Sequence, residues 1–150
     1  METLTAAPAA APTPPRRPRV TLGLLRAAIT VHLLAVLAQP VLAGRYLVGD
    51  LGAIAAHGVI GSLLALLTLV VGAAAAAYVV VGRGRLWVLP AVVALFLAVG
   101  FQIGAGFSRQ LDLHVPLGVA IVLTSVLLAI WVWSPVARRP RHAAVRAGER

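Results

Sequence analysis

The stretch Phe101–Ser125, FQIGAGFSRQLDLHVPLGVAIVLTS, decides how this chain folds. An apolar run carrying Gln102 and Gly106 gives way to a polar link, SRQLDL, and a new apolar run opens at His114. Gly118 lies four residues after that histidine and Ser125 eleven after it. On an α-helix both offsets return to one face. The same pattern occurs once more, 57 residues upstream, as His57, Gly61 and Thr68. The rest of the chain is arranged around these two histidine helices.

Composition sets the solvent. Hydrophobic residues make up 61% and charged residues 11% of the 150-residue chain, far outside the range of a soluble domain. Cysteine is absent, which excludes disulfides, thiolate metal sites and redox thiols. The net charge of +9 comes from arginine alone. Those arginines sit at the ends of apolar runs, without interleaved aromatics, so no nucleic-acid surface is read from them. Arginine in place of lysine, with abundant Ala, Gly, Val and Leu, matches the codon bias of a GC-rich bacterial genome.

Residues 1–19 hold five prolines and no apolar period, and read as a disordered basic tail. Four apolar runs follow, at about 20–43, 52–81, 86–107 and 113–133. About 20 helical residues cross a hydrocarbon core of ~30 Å, so each run is a span. Together they predict an all-α, four-helix transmembrane bundle occupying residues 20–133. Arg26, near the start of the first span, is placed to snorkel back to the headgroups. Pro90 and Pro116 fall in first turns, where a missing N–H costs little. Trp87, Trp131 and Trp133 fit an interfacial belt. The basic first run with Val41-Leu42-Ala43 also has the outline of a cleavable signal peptide, but its length favours a retained span. Residues 134–150 read as a second disordered basic tail.

Orientation follows from the arginines. With both termini cytoplasmic, positions 16, 17, 19, 26, 83, 85, 138, 139, 141, 146 and 150 lie inside, and only Arg45 and Arg109 outside. The expected location is a bacterial plasma membrane, with both histidine helices starting at its outer face.

An internal repeat underlies the layout. LLAVLAQ at 33–39 aligns with FLAVGFQ at 96–102, an offset of 63, and Ala43-Gly44 has a counterpart in Ala105-Gly106 one residue out of register. The two His-x3-Gly patterns align at an offset of 57, the longer first link absorbing the difference. A glutamine closing each odd span and a histidine opening each even span indicate a duplicated helix pair.

Ionisable residues inside spans are costly and line bundle interiors. Two histidines at matching depth on alternate helices suit axial ligation of a haem b, with His57 and His114 as the iron ligands. Gly61 and Gly118 would clear room for the porphyrin, Gln39 and Gln102 would receive the second imidazole N–H, and Arg45 and Arg109 would meet the propionates. The competing reading takes His and Gln as hydrogen-bond glue between helices, in a cofactor-free membrane subunit or scaffold. His32 has no counterpart in the second half, where Leu95 stands, and reads as a packed polar residue. No metalloprotease, hydrolase or phosphate-loop motif is present, and no carboxylate lies within a span to relay protons. A binding or electron-carrying role therefore fits better than catalysis. Besides the bilayer, the expected partners are a redox or membrane protein, and the Ala73–Ala77 face offers a homodimer contact.

With a histidine opening spans two and four, residues 20–133 resemble one half of a haem A synthase, whose four-helix halves each place a His pair around a haem. The resemblance rests on His57, His114 and their flanking apolar patterns, and implies haem binding by that pair. It departs one turn before the first histidine, where Ile54 stands instead of the synthase's acidic residue (Leu111 holds the matching place before His114), and in lacking the cysteine pair of some synthases. Haem binding, rather than oxygenating chemistry, is what the resemblance transfers. In length and layout the chain also resembles a family of small four-span membrane proteins of high-GC bacteria, which carries no mechanism with it.

Overall fold

A computed structural model describes residues 19–139. Four helices cover most of them: α1 (Arg19–Leu47), α2 (Leu51–Val80), α3 (Val88–Phe107) and α4 (Leu111–Trp133). A single 3-10 turn, Pro135–Arg138, follows α4. Each of the four helices is long and apolar enough to cross a membrane. At ~1.5 Å per residue, even the shortest, the 20-residue α3, reaches the thickness of a hydrocarbon core.

The first helix runs past its expected end at residue 43 and takes in Gly44, Arg45 and Tyr46, which the sequence had suggested as link. Arg45 lies in its last turn, where a cation complements the helix dipole, and pairs with Asp50 at 2.6 Å. Asp50 in turn caps α2, its carboxylate accepting from the Ala53 N–H at 3.2 Å. One ion pair thus finishes one helix and starts the next, leaving a link of three residues.

The helices form a closed ring. Each packs on its neighbours in chain order, α4 also packs on α1, and neither diagonal is a packed pair. Val36, Val71, Leu95, Val99, Ile121 and Leu128 fill the middle. The outward residues are as apolar as the inward ones: Leu34, Leu97, Phe101, Leu123 and Ile130 are all exposed. Helices apolar all round suit lipid, which leaves the interior to be recognised by its polar residues.

The ring brings His57, His114 and the links 48–50 and 108–110 to one end, and the tryptophans to the other. At the tryptophan end, Arg26 does not turn outward. Its Nε donates to the Val132 carbonyl at 3.0 Å and its guanidinium lies 4.8 Å from the Trp133 ring centre. Val132 belongs to the last turn of α4, whose carbonyls have no partner within the helix. The first helix therefore caps the last and closes the ring. Trp131 differs from its expected belt position too. It packs edge-on against Tyr78 and Trp87, with centroids 6.0 and 4.7 Å away. The Tyr78 hydroxyl donates to the Ala137 carbonyl at 2.9 Å, which orders residues 134–139, expected from sequence to belong to a disordered tail. The remaining tail segments, 1–18 and 140–150, lie outside the described residues.

Arg26→Met removes the hydrogen bond to Val132 and the stacking on Trp133. The expected loss is about 1–3 kcal/mol, read as a lower unfolding midpoint in detergent with helix content unchanged. An unchanged midpoint would show that the ring closes without this cap.

Candidate functional site

His57 sits in the second turn of α2 and His114 in the first turn of α4. These helices are diagonal in the ring, and their imidazoles meet in the middle, centroids 6.1 Å apart and planes tilted by 53°. Both rings are half-buried.

Each ring is held from the preceding helix. His57 Nδ1–H donates to the Gln39 carbonyl at 3.2 Å, and His114 Nδ1–H donates to the Gln102 carbonyl at 3.0 Å. A carbonyl only accepts, so both protons are on Nδ1. In the neutral imidazoles that leaves both Nε2 atoms with a free lone pair. The sequence had assigned this bond to the glutamine side chains. The backbone makes it instead, because a helix carbonyl keeps a second lone pair after its own helical bond.

The glutamine side chains go elsewhere. A Cβ built on Gly61 would lie 3.6 Å from Gln39 Oε1, and one on Gly118 would lie 2.9 Å from Gln102 Nε2. Gly118 is a notch filled by the amide of the neighbouring helix, whereas at Gly61 a Cβ would make only ordinary contact with Gln39. Gln39 Nε2 and Gln102 Oε1 are left buried without partners, one a donor and the other an acceptor. Each such orphan costs about 1–3 kcal/mol, so this layer holds unspent polar capacity just beside the rings.

Gly106 is the site residue that sequence reasoning missed. A Cβ there would come within 2.9 Å of His114 Cε1 and 3.1 Å of its Nδ1. The imidazole lies directly against the α3 backbone, which only glycine allows. Its counterpart in the repeat, Gly44, has nothing within 4 Å, so the one-residue slip in register separates a packed glycine from an open one. The visible signal was the spacing of Gly106 from Gln102, one helical turn.

The two arginines are less involved. Arg45 is engaged by Asp50. Arg109 is the residue that turns the chain from α3 into α4, with a positive φ of 56°. Both lie at the histidine end but neither is hydrogen-bonded to an imidazole. Deeper in the bundle, His32 is 2% exposed and its Nε2–H donates to Thr68 Oγ1 at 3.1 Å, while the Thr68 hydroxyl donates to the Leu64 carbonyl at 2.6 Å. It is a packed polar residue, as its lack of a repeat partner had suggested. Among the described residues no group of three or more His, Cys, Asp or Glu is placed to hold a metal ion. His142 lies outside them.

No family model matches the chain, and no curated protein or solved structure is significantly similar to it. The chemistry must be read from the site alone. What the site offers is two imidazoles from opposite helices, each oriented by an Nδ1–H bond to a backbone carbonyl, with Nε2 left out of those bonds.

Gly106→Ala must push the His114 ring off its seat. The expected cost is about 1–3 kcal/mol, with loss of the slow-exchanging Nδ1 proton of His114 in NMR spectra. Gly44→Ala, with open space, should be neutral or slightly stabilising. Equal effects from the two would contradict the packing described.

Proposed function

We propose that this multi-pass membrane protein binds haem b through His57 and His114, for electron transfer or haem handling. The observation that carries the reading is the facing pair itself, with both Nδ1 protons committed to matching carbonyls. An N–H donated to a backbone carbonyl orients a ligating histidine and raises its basicity. The two imidazoles that would hold the iron already lie close, their centroids 6.1 Å apart. When bound, the haem supplies a one-electron couple at iron. The chain's part is to fix the two imidazoles, to shield them within four apolar helices, and to offer the buried amides of Gln39 and Gln102 beside them.

The same pairing supports a duplicated helix pair, since each half repeats the glutamine carbonyl to histidine bond and sets that glutamine's side chain against a glycine of the histidine helix. The excess of arginines at the tryptophan end supports cytoplasmic termini and a haem near the outer face of a bacterial plasma membrane. A second reading, a cofactor-free subunit or scaffold, is favoured by one observation. The Gln102 amide already fills the notch at Gly118. A redox partner or a second copy of the chain fits either reading.

Purification after expression with ample haem separates them. The expected result is red protein with a Soret band, lost in His57→Ala and in His114→Ala. Gln102→Ala should keep the band, because the carbonyl that orients His114 remains. Colourless wild-type protein would end the haem reading.

A further inference from the structure

The polar contacts divide the bundle into two pairs of helices. His57 on the Gln39 carbonyl, His32 on Thr68 and the Arg45–Asp50 ion pair fasten α1 to α2. His114 on the Gln102 carbonyl fastens α3 to α4. The close contacts at glycine keep to the same division. Gln39 lies beside Gly61 within the first pair, and Gln102 against Gly118 and His114 against Gly106 within the second.

Bonds between the pairs are confined to the tryptophan half. Arg26 donates to the Val132 carbonyl, Trp133 Nε1–H donates to Thr30 Oγ1 at 3.2 Å, and the Tyr78 hydroxyl donates to the Ala137 carbonyl. The link from α2 to α3 lies at that end as well and is itself held, since the Arg85 N–H donates to the Tyr78 hydroxyl at 3.4 Å and Trp87 packs on Trp131. At the histidine end, among the described residues, no hydrogen bond or ion pair crosses from one pair to the other. The two imidazoles face each other there only as rings. Gln39 Nε2 on one pair and Gln102 Oε1 on the other are a buried donor and a buried acceptor left unpaired. At mid-depth the Ser125 hydroxyl is buried without a partner too, Leu95 standing where the repeat places His32.

Two seams separate the pairs. The α4–α1 seam is tied by the Arg26 and Trp133 bonds. No hydrogen bond among the described residues joins α2 to α3. The histidine end of this second seam carries a cleft of about 480 Å³, lined by Ile54, Ala55, Gly58 and Ser62 of α2 and by Phe107 of α3. Gly58 follows His57 directly, and no atom lies within 4 Å of where its Cβ would be. Ser62 turns its hydroxyl back to the Gly58 carbonyl, which leaves the wall of the cleft apolar.

We infer that the bundle opens as two pairs hinged at the tryptophan end, and that haem enters from the bilayer between α2 and α3 to reach His57 on one pair and His114 on the other. The entry step rests on the haem reading above; the hinge does not. In hydrocarbon, contacts with lipid replace apolar contacts between helices at little cost, so interhelical hydrogen bonds decide where helices part. Parting at the histidine end breaks none of them, and it separates the two imidazoles. A porphyrin is a flat, largely apolar ring, and the mouth it would pass is apolar.

The chain has no cysteine, so cysteine pairs introduced at exposed positions report on the pairs alone. Spin labels on Leu51→Cys with Phe107→Cys read the α2–α3 seam at the histidine end, and labels on Val80→Cys with Val136→Cys read the two pairs at the tryptophan end. In the haem-free protein in lipid bilayers, the first distance distribution should be broad with a longer component, and the second single and narrow. A short bis-maleimide joining Ile54→Cys to Phe107→Cys locks the seam. Haemin uptake should then slow several-fold against the unbridged variant, with the same final Soret spectrum. The same reagent joining Phe107→Cys to Leu111→Cys, within the second pair, should leave uptake unchanged. Equally narrow distributions at both ends overturn the hinge. A bridged seam that takes up haemin at the unbridged rate, or equal slowing by the bridge within the second pair, overturns the entry. If the Ile54–Phe107 bridge does not form, the distances decide. A wild-type protein that never takes up haemin overturns the functional reading, while the label distances still judge the hinge.

Discussion

In hydrocarbon a polar group has no water to fall back on, and this single constraint organises the bundle. Four helices that are apolar all round have no preferred rotation toward one another on hydrophobic grounds, since lipid is as apolar as leucine. What selects the rotation is the placement of the few buried polar side chains. His57 finds the carbonyl of Gln39, His114 that of Gln102, His32 the hydroxyl of Thr68, and Arg26 the carbonyl of Val132. Each of these bonds joins two helices, and together they tie α1 to α2, α3 to α4 and α4 to α1.

The distribution of those bonds gives the molecule two different ends. At the tryptophan end, an arginine cap and a cluster of Tyr78, Trp87 and Trp131 close the ring around the last carbonyls of α4. At the histidine end, closure falls to two imidazoles whose Nδ1 atoms are bonded to the carbonyls of Gln39 and Gln102. Buried polar capacity is left over at both ends, in Arg26 Nη2 and Arg85 Nε at the tryptophan end and in Gln39 Nε2 and Gln102 Oε1 at the histidine end.

The two helix pairs are alike at the histidine end and unlike elsewhere. Both have the glutamine, the glycine beside its side chain and the histidine held by the glutamine carbonyl. Only the first keeps the mid-depth histidine, and only the second seats its imidazole on a glycine backbone. A matched pair of imidazoles is thereby mounted on unequal supports.

The sequence alone settled that the chain has four spans, because twenty apolar residues in a row have few other uses and need no neighbours to be recognised. It also singled out His57, His114, Gln39 and Gln102, since polar residues recurring at equal offsets stand out in an apolar background. Their division of work was not legible there. Whether a glutamine serves through its carbonyl or its amide depends on how two helices are rotated, and rotation in an apolar bundle is a property of the assembled ring. The same holds for Arg26, for the seat of His114 on Gly106 and for the stranded hydroxyl of Ser125. Each is defined by a residue on another helix, from 12 to 106 positions away for the bonded groups, and only the tertiary structure brings those atoms within reach.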